Sequence, residues 1–243
     1  MDNSVSLRII DIQSREIDPY TTTEDYRGDR TYLVQLFGLD EQRKTYSVIV
    51  EGFTPYFYVK VDAGNKKSHF TEEGFQKWLT EKLGDRYVKG IEEICLEKHK
   101  KLYGFDAGSR HCFVKLSFSN MDSFHKAKNL WYNITSTPSY KKSLKKYNNR
   151  KSTGVKIPSL GVTTELYEAH IPPMLRFLHI QKVSASGWIE LPADKYEMVP
   201  EDDQISTCSA EYKISYEDIV PQPDKETRVP YKLSLIHISE PTR

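Results

Sequence analysis

The stretch TELYEAHIPPMLRFLHIQKVSASGWIELPADKY, Thr164 to Tyr196, limits the possible folds more than any other part of the chain. From Thr164 to Ile171 the side chains alternate as in a half-buried strand. Pro172-Pro173 then interrupts the pattern, because proline cannot donate to a ladder but is tolerated in the first turn of a helix. Leu175, Phe177 and Leu178 follow at roughly helical spacing, and Ser186-Gly187 closes that short helix. Trp188-Ile189-Glu190-Leu191 reads as the next strand. The stretch is therefore strand, helix and strand with a hydrophobic face.

The residues before it extend the pattern. Leu7–Ile12, Thr31–Phe37 and Lys44–Val50 read as strands, the last two joined by a Gly38–Gln42 hairpin turn, so a small antiparallel sheet is expected. A strand at Tyr56–Val61 leads to a helix over Thr71–Leu83, with Phe75, Trp78, Leu79 and Leu83 on one face. Strands at Ile91–Glu97 and Cys112–Phe118, a helix over Met121–Tyr132 and the Thr164–Ile171 strand complete the order β-α-β-β-α-β. This is the ferredoxin-like order, shared by RNA-recognition modules. The fold class expected is α+β: an antiparallel N-terminal sheet plus a ferredoxin-like unit. Base stacking on such a unit needs exposed aromatics on its central strands, and Cys112-Phe113-Val114-Lys115-Leu116 lacks the usual aromatic motif. The fold order is expected here without the stacking chemistry.

Composition narrows the classes. With 38% hydrophobic and 28% charged residues the chain is globular rather than disordered, and no apolar run approaches the roughly 20 residues of a membrane helix. The N-terminus has no apolar signal-peptide core, so no membrane partner and no secretion are expected. Cys95, Cys112 and Cys208 are far apart and form no CxxC, which suits a reducing compartment and offers no zinc site. His99 and His111 can face each other on neighbouring strands, but no third ligand has suitable spacing.

The net charge of +1 conceals a segregation. No Asp or Glu occurs from Ser123 to Thr164, while a Ser/Lys/Asn-rich tract over 135–160 concentrates cations. Lys141, Lys142, Lys145, Lys146, Arg150 and Lys151 are the candidate nucleic-acid-binding residues, with Tyr140 or Tyr147 available for stacking. The alternative is a solvated insertion. Glu201-Asp202-Asp203 and Glu217-Asp218 are adjacent acids that match no two-metal motif, so no catalytic residue and no metal or cofactor site is expected in this chain.

The order and identity of the residues carry a further signal. Tyr167, Glu168, Pro172, Leu175, Arg176, Phe177, Trp188, Ile189, Glu190, Pro192, Ala193, Lys195 and Tyr196 together resemble the segment that leads into the 3′–5′ exonuclease of delta-type family B DNA polymerases, cellular or of large DNA viruses. GFTPYFYVKV, Gly52–Val61, is similar to an early strand of the same family. In archaeal members residues near that strand help form a template-reading pocket, for which Pro55 and Phe57 are the matching candidates. The resemblance implies an N-terminal domain over 1–163 and the first strands of an incomplete RNase H-like exonuclease domain over 164–232. It implies that the strand starting near Val229 runs towards an Asp-Ile-Glu motif that this chain does not contain. It also implies Mg²⁺, primer-template DNA, dNTPs and a sliding clamp as cofactor and partners of the intact polymerase, in a nucleus or viral replication site, with this part catalytically inert. The alternative is a stand-alone, non-enzymatic nucleic-acid-binding protein with an RNA-recognition-like fold. Leu233–Arg243, LSLIHISEPTR, is what the transposase mosaic-end adapter of sequencing libraries encodes in one frame, so natural sequence is expected to stop near Lys232.

Overall fold

The computed structural model describes residues 4–16, 30–62, 70–101, 106–132 and 154–229. The chain begins with β1 (Val5–Arg15), β2 (Leu33–Leu39), β3 (Thr45–Glu51) and β4 (Tyr56–Asp62). Helices α1 (Glu72–Leu83) and α2 (Asp85–Val88) follow, then β5 (Ile91–Lys100), β6 (Arg110–Phe118) and α3 (Met121–Lys128). Next come β7 (Val155–Ile157), β8 (Val162–Tyr167) and α4 (Pro173–Gln181). The last strands are β9 (Trp188–Leu191), β10 (Tyr196–Met198), β11 (Ala210–Ser215) and β12 (Val220–Gln222).

These elements form two compact units, and the chain leaves the first to build the second before returning. One comprises Met1–Ser14, Val34–Gly52 and Phe177–Arg243, the other Arg15–Leu33 and Phe53–Arg176. The first unit holds a seven-stranded sheet in the order β10-β11-β3-β2-β1-β9-β12. The turn between β2 and β3 is fixed by Asp40, whose carboxylate accepts from the Lys44 amide at 2.8 Å and from the Tyr46 hydroxyl at 2.8 Å. Gly38 on β2 is required by a close approach: a Cβ there would lie 2.3 Å from Leu7 Cδ1 and 2.7 Å from the Arg8 carbonyl. β11 runs parallel to β3, pairing Ala210 with Tyr46 and Ser215 with Glu51, and β9 runs antiparallel to β1, pairing Leu7 with Ile189. Trp188 is buried beside Leu39 and Val229, and its indole donates to the Thr227 carbonyl at 2.9 Å.

The strands that follow Thr164 join sheets begun earlier in the chain. β8 pairs with β4, and β9 and β11 complete the sheet begun by β1, β2 and β3. The physical reason is that β1 and β3 each leave one edge for a partner, and the strands after Gly187 satisfy those edges instead of starting a new sheet.

The second unit is a five-stranded antiparallel sheet in the order β5-β6-β4-β8-β7, with α1 and α3 packed on one face. Thr71 caps α1 by accepting from the Gly74 amide, Glu72 and Glu73 follow in its first turn, and Lys82 lies in the last. Asn120 caps α3 in the same way through the Ser123 amide at 2.8 Å. Phe75, Leu79 and Leu83 of α1 and Phe124 and Ala127 of α3 meet Phe57, Val59, Val114 and Leu116 of the sheet in one core. Trp131 is wholly buried there, and its indole donates to Thr164 Oγ1 at 2.9 Å.

Three sequence expectations shift in detail. The helix from Met121 ends at Lys128 and tightens into a 3-10 turn over Asn129–Trp131. The strand expected to reach Ile171 stops at Tyr167, because Glu168 adopts a left-handed conformation with φ 57°. In α4 it is Arg176 and Phe177 that are buried, whereas Leu175 is 56% exposed.

Candidate nucleic-acid interface

Strand alternation gives the five-stranded sheet two different faces. On β4, Phe57, Val59 and Val61 enter the core under the helices. Tyr56, Tyr58 and Lys60 alternate with them and belong to the opposite face. On β6, Val114, Leu116 and Phe118 enter the core, which leaves Phe113 and Lys115 on that opposite face. Tyr167 of β8 joins them, directly opposite Tyr58 in the register.

The result is an aromatic array across the three middle strands. Phe113 stands edge-on to Tyr58, with ring centroids 6.3 Å apart, and to Tyr167 at 5.1 Å. Tyr56 packs edge-on against Tyr58 at 5.6 Å, and His99 of β5 does so from the other side at 5.6 Å. Phe113 is buried at the floor of the array, while Tyr56, Tyr58 and Tyr167 are half-buried. Burial, then the neighbouring Tyr56 and Glu97, holds the Tyr58 phenol well above its ordinary value, and burial likewise raises Tyr167. Both rings are therefore neutral at physiological pH. The linear aromatic motif absent from Cys112–Leu116 is replaced by aromatics contributed singly by separate strands, which only the strand register brings together.

Charges border this array. Burial pulls the Lys60 ammonium down, but the hydrogen bond to Asp62 at 2.7 Å and the carboxylate's charge leave it above its usual value. Lys115 lies 5.0 Å from the Tyr56 ring centroid, and the Arg176 guanidinium lies 4.2 Å from it. Arg176 also donates to the Glu168 carboxylate at 2.8 Å and to its carbonyl at 3.1 Å, which fixes the left-handed residue that ends β8. At the end of the β5–β6 hairpin, His99 and His111 do face each other, as their spacing suggested. Each turns to its own carboxylate, Glu97 and Asp106, so they do not converge on a metal. The hydrogen bond from His111 holds the Asp106 carboxyl below its usual range.

The other expected residues fall as follows. Phe57, the candidate wall of a template pocket, is fully buried against Phe118, Phe124 and Trp131, and its ring is used by the core rather than by an open pocket. Pro55 is buried as well, and its carbonyl accepts from the Phe118 amide. Lys141, Lys142, Lys145, Lys146, Arg150 and Lys151, with Tyr140 and Tyr147, lie outside the described residues, as does Leu233–Arg243. Glu201–Asp203 form an exposed 3-10 turn, and Asp218 pairs with Lys195 at 3.6 Å. Among the described residues no group of three or more His, Cys, Asp or Glu side chains could hold a metal ion. The described residues thus do not fit the metal ions of an exonuclease.

Comparison with known proteins gives this fold its class. The family model described as DNA polymerase family B, exonuclease domain, matches residues 164–239. The DNA polymerase of Phaeocystis pouchetii virus is 33% identical over 215 residues, which is 86% of this chain and 19% of that protein. The DNA polymerase of Acanthamoeba polyphaga mimivirus is 26% identical, over 86% of this chain and 11% of its own length. The DNA polymerase delta catalytic subunit of Schizosaccharomyces pombe is 28% identical, over 88% of this chain and 17% of its own length. In fold, the chain is similar to the family B DNA polymerase from the hyperthermophilic archaeon Pyrobaculum calidifontis, with a TM-score of 0.51 and 14% identity over 90% of this chain and 21% of that one. The chain thus matches the family B DNA polymerase exonuclease-domain model over residues 164–239, and it spans a fifth or less of the length of these polymerase relatives.

The family's Leu-Arg-Phe run can be tested on Arg176. Lysine cannot reproduce two hydrogen bonds from one planar group together with its stack on Tyr56. Arg176→Lys is expected to destabilise the fold by about 1–2 kcal/mol, read as a lower urea midpoint. An unchanged midpoint would mean that the Glu168 turn holds without the guanidinium.

Proposed function

We propose that this chain is the N-terminal part of a replicative DNA-directed DNA polymerase with 3′–5′ exonuclease activity. In this reading it supports the exonuclease, contacts template DNA and is itself catalytically inert. The observation that carries the reading is the 33% identity to a viral DNA polymerase across 86% of the chain, together with the exonuclease-domain match from residue 164 onwards. In the intact enzyme Mg²⁺ would serve the chemistry, with primer-template DNA, dNTPs and a sliding clamp as partners. The order β5-β6-β4-β8, all antiparallel, with α1 and α3 on one face, supports a ferredoxin-like unit as the scaffold's second part. Residues 1–163 are assigned to the N-terminal domain and residues from 164 to the exonuclease-domain sequence. In three dimensions its first strand is shared with the five-stranded sheet. The coding match of Leu233–Arg243 to a library adapter supports excluding that tail from the natural sequence.

Amplifying the source locus across codon 232 tests the reading. An open frame continuing into Asp-Ile-Glu is expected. Codons for Leu233–Arg243 followed by a stop would overturn it and favour a stand-alone binding protein.

The basic insertion is assigned the phosphate contacts to DNA, on the strength of the acid-free span from Ser123 to Thr164. Replacing Lys141, Lys142, Lys145, Lys146, Arg150 and Lys151 by Ser should weaken binding to all DNA sequences alike. Each lost phosphate contact should lower the log Kd against log salt slope by roughly 0.7–0.9. A slope equal to wild type would indicate a solvated insertion instead.

A further inference from the structure

The β5–β6 register sorts the side chains of this hairpin onto two faces. Val114 and Leu116 of β6 enter the core under the helices, and Leu96 of β5 stands opposite Val114. Strand alternation puts Lys98 and Lys100 of β5, with Arg110 and Cys112 of β6, on that same side, away from Tyr58, Phe113 and Tyr167. Toward the turn this face emerges from the core. Val114 is fully buried and Cys112 half-buried, whereas Lys98, Lys100 and Arg110 are exposed. Lys100 stands directly opposite Arg110. Lys98 is two residues away along the same strand, about 6.6 Å. Three cations therefore share one small patch.

None of the three has a carboxylate partner among the described residues, although their neighbours do: Lys101 pairs with Asp106 at 3.7 Å and Lys115 with Glu93 at 3.4 Å. Asp106 is also bonded to His111, which lies on the opposite face. Like charges directly opposite each other on paired strands destabilise a sheet. Lysines on an edge strand can discourage pairing with other chains, and β5 stands at the edge of the five-stranded order. That role accounts for Lys98 and Lys100. It does not account for Arg110, which lies on the inner strand β6 and adds to the repulsion. A bound polyanion relieves it.

We propose that Lys98, Lys100 and Arg110 form a phosphate-binding site for the backbone of nucleic acid, on the helix-covered side of the five-stranded sheet at the turn end of the β5–β6 hairpin. Cations that meet phosphates carry no sequence information, so the site positions a strand without reading it. For the choice of polyanion the inference rests on the reading of this chain as a DNA-contacting part of a polymerase. It is separate from the basic insertion, since its three side chains lie on β5 and β6.

The experiment is fluorescence anisotropy on the full 243-residue chain across a salt series. The probes are labelled oligo(dT) and a DNA duplex, each of about 16 nucleotides. Lys98→Ser, Lys100→Ser and Arg110→Ser together alter only exposed side chains and should lower the log Kd against log salt slope by roughly 2. Lys100→Ser alone should lower it by roughly 0.7–0.9, a loss of about five- to eightfold in affinity at about 0.1 M salt. Removing as many exposed cations elsewhere in the same unit, Lys77→Ser, Lys82→Ser and Lys89→Ser, should leave the slope at its wild-type value. Stability supplies a second readout. Lys100→Glu sets opposite charges across from each other, so its urea midpoint should rise above wild type while its DNA affinity falls further than that of Lys100→Ser. A triple variant with the wild-type slope would overturn the inference. So would an equal loss in the Lys77, Lys82 and Lys89 control, which would make the effect one of total charge. A midpoint for Lys100→Glu at or below wild type would remove the repulsion on which the site is argued. Hairpin-dependent affinity for phosphatidylserine vesicles, with DNA binding unchanged, would make the partner a membrane and overturn nucleic acid. Loss of slope in the insertion variants alone would place binding on the insertion and refute the hairpin site while sparing the polymerase reading. A wild-type chain that binds neither probe would also refute the hairpin site, and the polymerase reading would then stand or fall on the sequence beyond codon 232.

Discussion

The parallel pairing of β11 with β3 is the contact on which the rest of the first unit depends. Ala210, Tyr212 and Ile214 are set beside Tyr46, Val48 and Val50, and all six are buried. Antiparallel neighbours can be joined by a tight turn, but parallel ones require a crossover. Here the crossover includes the whole of Phe53–Arg176, a unit with its own core, together with α4 and β9. Loop-closure entropy grows only with the logarithm of length, so a long insertion at this place is tolerated once it folds by itself. Further tethers hold the returning chain: the Trp188 indole on the Thr227 carbonyl, and Lys225, which bonds Glu41 at 2.9 Å and lies 3.9 Å over the Trp188 ring. The buried Glu211 carboxylate accepts from the Ile205 and Ser206 amides and fixes the approach to β11.

This arrangement explains what the family's signature residues do. Trp188 and Ile189 close the first sheet, Lys195 pairs with Asp218, and Tyr196 packs on Tyr212 with centroids 4.7 Å apart. Arg176 holds Glu168 in a conformation that non-glycine residues rarely adopt. The residues that carry the resemblance between Tyr167 and Tyr196 are thus largely residues that turn and close the fold. Tyr56, Tyr58 and Tyr167, which belong to the same resemblance, instead line the face of the second sheet opposite its helices.

The local structure was legible because it is written at short range. The alternation from Tyr56 to Val61, the Thr71 cap with two glutamates behind it, and the Pro172-Pro173 boundary each depend on neighbours within one or two turns. The alternation of strands and helices in the second unit could be anticipated from periodicity, but β7 could not, since it lies in the tract read as an insertion. The destination of the strands after Gly187 could not, because β3 and β11 are joined by register across more than half the chain. The aromatic face was missed for a related reason: a search for a contiguous motif overlooks Tyr58, Phe113 and Tyr167, which lie on three strands. Their alternation with core residues was the available signal. Leu175 is exposed and Arg176 buried, because the guanidinium's hydrogen bonds and its stack on Tyr56 offset the cost of its burial.

Native-state hydrogen exchange on the whole chain, followed by mass spectrometry, tests the closure of the first sheet directly. If β11 completes the sheet begun by β1, β2 and β3, the amides of Ala210–Ser215 should be as protected as those of Thr45–Glu51 and should open with them in one cooperative step. Fast exchange of Ala210–Ser215 while Thr45–Glu51 stays protected would contradict that closure and return the later strands to a separate, incomplete domain.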